Sequence, residues 1–131
     1  MMNVLSIDIG MRRTGLAFAS SETGVPVALT TLRHGKTEDL IAYVRKLAAE
    51  KSIDLVVCGL PLLLSGEEGS QCSFVRSIVY LLQKSGLTVT LLDERYTTVT
   101  QRGVDGDAAA ACQLLLTYIE RGKRSGENID K

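Results

Sequence analysis

The sequence predicts an α/β domain on a mixed sheet, with elements in the order β-β-β-α-β-α-β-α and helices packed on the sheet's faces. Three observations lead there. Short apolar runs separated by turn residues fill the first thirty positions; the apolar period turns helical from Thr37; and the later runs Ile53–Cys58 and Leu87–Leu92 each follow such a helix. A chain of 131 residues, 45% hydrophobic and 23% charged, is long enough for one core without disulfide staples.

Asn3 to Ile9 carries Val4, Leu5, Ile7 and Ile9 and reads as the first strand. Gly10 to Arg13 is a turn, and Thr14 to Ser20 is the second strand. Ser21 to Gly24 turns the chain into a third strand, Val25 to Leu32, where Pro26 suits a strand start. Three strands joined this closely form an antiparallel meander. Leu40, Ile41, Val44, Leu47 and Ala48 then recur at helical spacing, with Glu38 and Asp39 complementing the dipole of the first turn. The nearly continuous run Ile53–Cys58 suits a buried parallel strand, and Gly59 to Gly69 is a loop. Phe74, Val75, Ile78, Val79, Leu81 and Leu82 give a second helix closed by Gly86, and Leu87–Leu92 is the last strand. Asp107 to Glu120 forms the final helix. Residues 1–121 are thus expected to be a single domain and 122–131 a polar, frayed tail.

Several function classes are set aside at this level. Asp8, Pro61 and Ser65 interrupt the apolar runs, so no membrane span is expected, and Met1 to Gly10 reads as a strand rather than a secretory signal. Cys58, Cys72 and Cys112 lie apart, without the paired spacing of a zinc site or disulfide framework, and are expected to be small core residues in a reducing compartment. The formal net charge is zero, so any nucleic-acid binding must come from a local basic patch or from metal ions.

In sheets of this kind ligands gather beyond the carboxyl ends of the parallel strands. Asp8 ends the first strand and Asp93-Glu94 the last, while Asp105 and Asp107 stand at the start of the final helix. Converging carboxylates repel one another, and hard cations such as Mg²⁺ or Mn²⁺ relieve that cost through oxygen coordination. Two such ions activate water and stabilise the leaving oxygen in phosphodiester hydrolysis. Bland roles stand beside these. Asp8 suits a turn, Asp93-Glu94 suits a solvated strand exit with Arg95 as partner, and Asp107 suits a helix first turn. An acid inside an apolar strand asks for more than a turn role. His34, alone in a polar turn, is expected at the surface.

Four segments together carry a resemblance. They are Asp8-Ile9-Gly10 with Arg13 and Gly15; Val57-Cys58-Gly59-Leu60-Pro61-Leu62 with Gly66; Asp93-Glu94-Arg95-Tyr96-Thr97-Thr98; and Asp107 with Ala110-Ala111 and Leu115. In this order and at these strand and helix ends they resemble the YqgF/RuvX family of Holliday-junction-resolvase-like nucleases, over Met2 to about Ile119. The resemblance implies a ribonuclease H-like fold and a cytoplasmic, metal-dependent nuclease, expected to act in 5′-end maturation of precursor 16S ribosomal RNA. It implies Asp8, Glu94 and Asp107 as catalytic metal ligands for Mg²⁺ or Mn²⁺, with Asp93 or Asp105 as substitutes if the register differs by a step. Arg13, Arg95, Thr97 and Thr98 are the expected substrate contacts, because phosphate binding uses arginines and small hydroxyls. The expected partners are structured RNA, branched DNA and ribosomal particles, with the chain a monomer or weak homodimer.

Two departures from the family pattern keep alternatives open. Leu63-Leu64-Ser65-Gly66 stands where relatives carry polar residues after Gly-Leu-Pro, so Leu62–Leu64 is expected to pack into the domain or form a partner surface. Between Thr98 and Asp107 only Val99–Gly106 remains, with Arg102 as its single basic residue, where relatives carry a longer basic segment. Fewer phosphate contacts weaken nucleic-acid affinity. A Holliday junction resolvase and a non-catalytic nucleic-acid or ribosome-associated module are the alternatives.

Overall fold

The computed structural model describes residues 2–20, 22–63, 65–93 and 106–126. Its strands are β1 (Asn3–Ile9), β2 (Arg13–Ser20), β3 (Val27–Ala28), β4 (Leu32–Arg33), β5 (Leu55–Leu60) and β6 (Val89–Asp93). Its helices are α1 (Thr37–Glu50), α2 (Ser70–Lys84) and α3 (Gly106–Gly126). Among the described residues the strands form one mixed sheet in the order β3-β2-β1-β5-β6, with β4 also paired to β2. β1 is antiparallel to β2 and parallel to β5, which is parallel to β6. This is the expected architecture.

Strand alternation sorts the core into two faces. Leu5, Ile7, Ile9, Leu16, Val56, Cys58 and Leu60 point to one side, where Leu40, Val44 and Leu47 of α1 and Val75, Ile78 and Leu82 of α2 cover them. Val4, Ala17, Ala19, Leu55, Val57 and Leu92 point to the other, against Ala111, Leu114 and Leu115 of α3. On this face β1 and β2 carry Ser6, Gly15, Ala17 and Ala19, so α3 lies close to these two strands. Ser6 donates its hydroxyl to the Ala111 carbonyl at 2.7 Å, a buried bond between β1 and α3. Cys58 and Cys72 are buried, as expected of core thiols, and Cys112 is half-buried; none of the three is in a disulfide among the described residues. No helix among the described residues is long and apolar enough to cross a membrane.

The expected third strand, Val25–Leu32, is corrected to two short pieces. Continuing the Ala17–Ala28 register would set Leu32 against Arg13, but the observed pairs are Thr14–Leu32 and Arg13–Arg33. One extra residue therefore sits on the β3–β4 side, the signature of a β-bulge. Its cause is in the sequence: Leu29 and Leu32 both pack on the α1/α2-side cluster. At a spacing of three, a regular strand would send them to opposite faces.

Element boundaries also move: β5 starts at Leu55 rather than Ile53, and the last strand is Val89–Asp93 rather than Leu87–Leu92. The strand expected at Ile53–Cys58 runs to Leu60, so the loop begins at Pro61 rather than Gly59. Of the expected Leu62–Leu64 patch, Leu62 packs on the core, Leu63 is exposed and Leu64 lies outside the described residues. The last helix continues to Gly126, past the expected start of the tail at residue 122. Arg121 favours helix, and Gly122 alone costs about 1 kcal/mol relative to alanine.

Candidate active site

Asp8 shares the face of Val4 and Ser6 by the period of two, the face that α3 covers. Directly across the β1–β2 ladder stands Gly15. A Cβ built on Gly15 would land inside the carbonyl oxygen of Asp107 and 3.1 Å from the Ala108 amide. The first turn of α3 thus rests on the bare Gly15 backbone. The Ser6–Ala111 bond gives the same alignment one level below. Two residues along a strand advance about 6.6 Å, and the four from Ala111 to Asp107 return about 6.0 Å along a helix. Asp8 and Asp107 are brought to one level on one face. The connecting turn is held by a Gly10 N–H to Arg13 carbonyl bond of 2.9 Å. A Cβ on Gly10 would sit 2.5 Å from that same oxygen, so the tight turn requires glycine there.

Arg13 follows Gly15's parity and meets Asp107, with Nε 3.0 Å from Oδ2. The arginine is 55% exposed and the aspartate 31%, so this ion pair contributes at most about 1 kcal/mol to the fold. Its position beside the acids is what counts. Arg13→Gln is expected to shift the unfolding free energy by no more than about 1 kcal/mol in a urea titration.

The substitute ligand Asp93 is on the wrong face. It pairs with Leu60, whose side chain belongs to the α1/α2-side core, whereas its neighbour Leu92 faces α3. A one-step register change does not bring it to Asp8. Glu94, Arg95, Thr97, Thr98 and Asp105 lie outside the described residues. Among the described residues no group of three or more His, Cys, Asp or Glu side chains is placed to hold a metal ion.

Around Asp107 opens a cleft of about 450 Å³ lined by Gly10, Met11, Arg12, Arg13 and Arg33. Three arginines thus line one cleft, a local basic patch on a chain of zero net charge. Arg12 and Arg33 escape sequence reasoning because their meeting depends on the bulge register.

His34, expected at the surface, is buried on the opposite face. Its Nε2 lies 2.8 Å from the Thr14 hydroxyl, and its N–H donates to the Arg12 carbonyl at 2.9 Å. The polar turn around it hides this, since burial comes from its distant partner on β2. Burial holds its pKa below the ordinary 6.5, against a smaller upward pull from Asp39. The unfolded state then binds the proton more readily, so stability falls as pH drops below about 6.5 and levels off below the folded pKa. Between pH 7.5 and 5.5, His34→Gln is expected to lose less stability than the native chain, as read from urea midpoints.

A family model described as "RuvX: Holliday junction resolvase" matches residues 2–121. A relative from Chloroflexus aggregans named "Putative pre-16S rRNA nuclease" is 36% identical over 129 residues, covering 98% of this chain and 84% of its own. Another of that name, from Thiobacillus denitrificans, is 33% identical over 126 residues, covering 86% and 87% respectively. Among solved structures, T. thermophilus RuvC in complex with a Holliday junction substrate superposes with a TM-score of 0.68 at 13% identity, covering 95% of this chain and 97% of that one. That likeness speaks for the fold, which is ribonuclease H-like.

Proposed function

The chain belongs to the RuvX family, and from that premise we propose that it is a divalent-metal-dependent nuclease acting in 5′-end maturation of precursor 16S ribosomal RNA. The observation that carries this reading is the alignment of Asp8 with Asp107 across Gly15, on one face beside Arg13. Those two residues offer carboxylate oxygens, and the buried His34 stands on the other face, so the donor set suits Mg²⁺ or Mn²⁺. We assign Glu94 as the third ligand from the family motif that contains it. Bound there, such ions supply an activated water and charge stabilisation of the leaving oxygen.

The chain's own residues do the rest. Asp8 is fixed by the β1–β2 ladder and Asp107 by the seating of α3 on Gly15, so both ligands stand on rigid elements. Arg13 keeps Asp107 charge-balanced, and its exposed guanidinium reaches a phosphate oxygen with a second N–H. Arg95, Thr97 and Thr98 are proposed backbone contacts on the same motif as Glu94. A cytoplasmic location and contact with ribosomal particles follow from this substrate, and a monomer or weak homodimer is the proposed state.

The test is a cleavage assay in Mg²⁺ and in Mn²⁺ with two substrates, a precursor 16S fragment and a four-way DNA junction. Cleavage at the 5′ end of the RNA is expected. Preference for the junction moves the assignment to a resolvase, and binding of either without cleavage moves it to a non-catalytic module.

A further inference from the structure

We propose that Arg33, with Arg12, forms a second phosphate-binding point for the nucleic-acid backbone, next to the candidate metal ligands; this rests on the nuclease reading above. Arg33 is the direct cross-strand partner of Arg13. Like charges set opposite each other on neighbouring strands destabilise a sheet, so this pairing is a cost to the fold. It arises from the bulge between β3 and β4. Without the extra residue Leu32 would stand opposite Arg13, and Arg33 would point to the α1/α2 side. The bulge re-aims Arg33 onto the face of Asp8 and Asp107, a use of bulges that recurs beside active sites.

The charge balance supports the same assignment. Arg13 is already engaged by Asp107, whereas among the described residues neither Arg12 nor Arg33 forms a salt bridge. Both are exposed, and both line the cleft that Asp107 also lines. Arg33 sits on backbone fixed from beneath. The adjacent His34 N–H bonds the Arg12 carbonyl, and its imidazole bonds Thr14. The turn Gly10–Arg13 and β4 are thereby one unit that carries both arginines. A guanidinium fork matches phosphate oxygens bidentately. Arg12 and Arg33 therefore grip a phosphate beside the one that Arg13 and the metal site address. This supplies part of the affinity that the short Val99–Gly106 segment, with Arg102 as its single basic residue, does not.

Fluorescence anisotropy with a labelled precursor 16S fragment in Ca²⁺, titrated with salt, tests this on the full chain. Arg33→Ala and Arg12→Ala are each expected to weaken binding roughly tenfold and to lower the slope of log K against log salt by about one. Arg33→Lys should keep the slope. Arg45→Ala, an exposed arginine on α1, should change neither quantity, and unchanged thermal midpoints would show that the variants are folded. If the native chain binds and Arg33→Ala matches Arg45→Ala, the Arg33 site is overturned while the nuclease reading stands. If the native chain binds no nucleic acid, both fall together.

Discussion

Asp8→Asn is expected to lower metal-dependent cleavage on the order of 10³-fold or more while leaving the fold in place. The magnitude follows from the role proposed for this carboxylate. Metal ions contribute several kcal/mol to stabilising transition-state charge, and each 1.36 kcal/mol is a factor of ten in rate. Asparagine keeps the shape of aspartate and one oxygen but loses the charge that holds a hard cation. Asp8 is half-buried at the end of β1, so the substitution opens no cavity. A second readout separates metal loss from misfolding. Mn²⁺ that binds only the folded chain raises its apparent stability by mass action. The native chain should therefore melt higher in Mn²⁺, and Asp8→Asn should show no such rise while melting normally in EDTA. A variant that cleaves as fast as the native chain removes Asp8 from the mechanism.

Much of this was legible in the order of residues, for identifiable reasons. β1, β5 and the helices carry strong apolar signals, and Asp8 stands out because an acidic residue in an apolar strand asks for an explanation. Asp107 was ambiguous between helix-end chemistry and function, and the structure places it in the first turn of α3, where it also meets Arg13. What was hidden depends on pairings between residues distant in sequence. The bulge follows from Leu29 and Leu32 sharing one apolar cluster, and no local signal announces which face that cluster occupies. Arg33 and His34 inherit their surroundings from that register. Arg33 is carried to the cleft beside Arg13, and His34 beneath it to the Thr14 hydroxyl. The same logic removes Asp93, whose position next to Glu94 made it a natural substitute until strand parity placed it with Leu60.

Gly15→Ala carries the largest expected cost to the structure, and it tests the seating that brings the two acids together. The position needs glycine for space rather than for an unusual backbone angle. A single methyl there overlaps the Asp107 carbonyl and crowds the Ala108 amide, and both are backbone atoms that cannot rotate away. Either α3 lifts off β2 or the strand bends. Overpacking of this kind costs typically 1–3 kcal/mol and occasionally more. Contact with backbone on the far side puts this case at the upper end, near 3 kcal/mol. Lifting α3 also strains the buried Ser6–Ala111 bond and the packing of Ala108, Ala111 and Leu115. The catalytic consequence is larger than the loss of folded protein alone. A displacement of about 1 Å in a reacting group can cost on the order of 10²-fold in rate, and here the displaced group is Asp107. At a temperature where Gly15→Ala remains folded, cleavage should still be reduced by about that factor. Near-native cleavage by that folded variant would mean that Asp107 need not sit at the level of Asp8, and would detach the helix from the metal site.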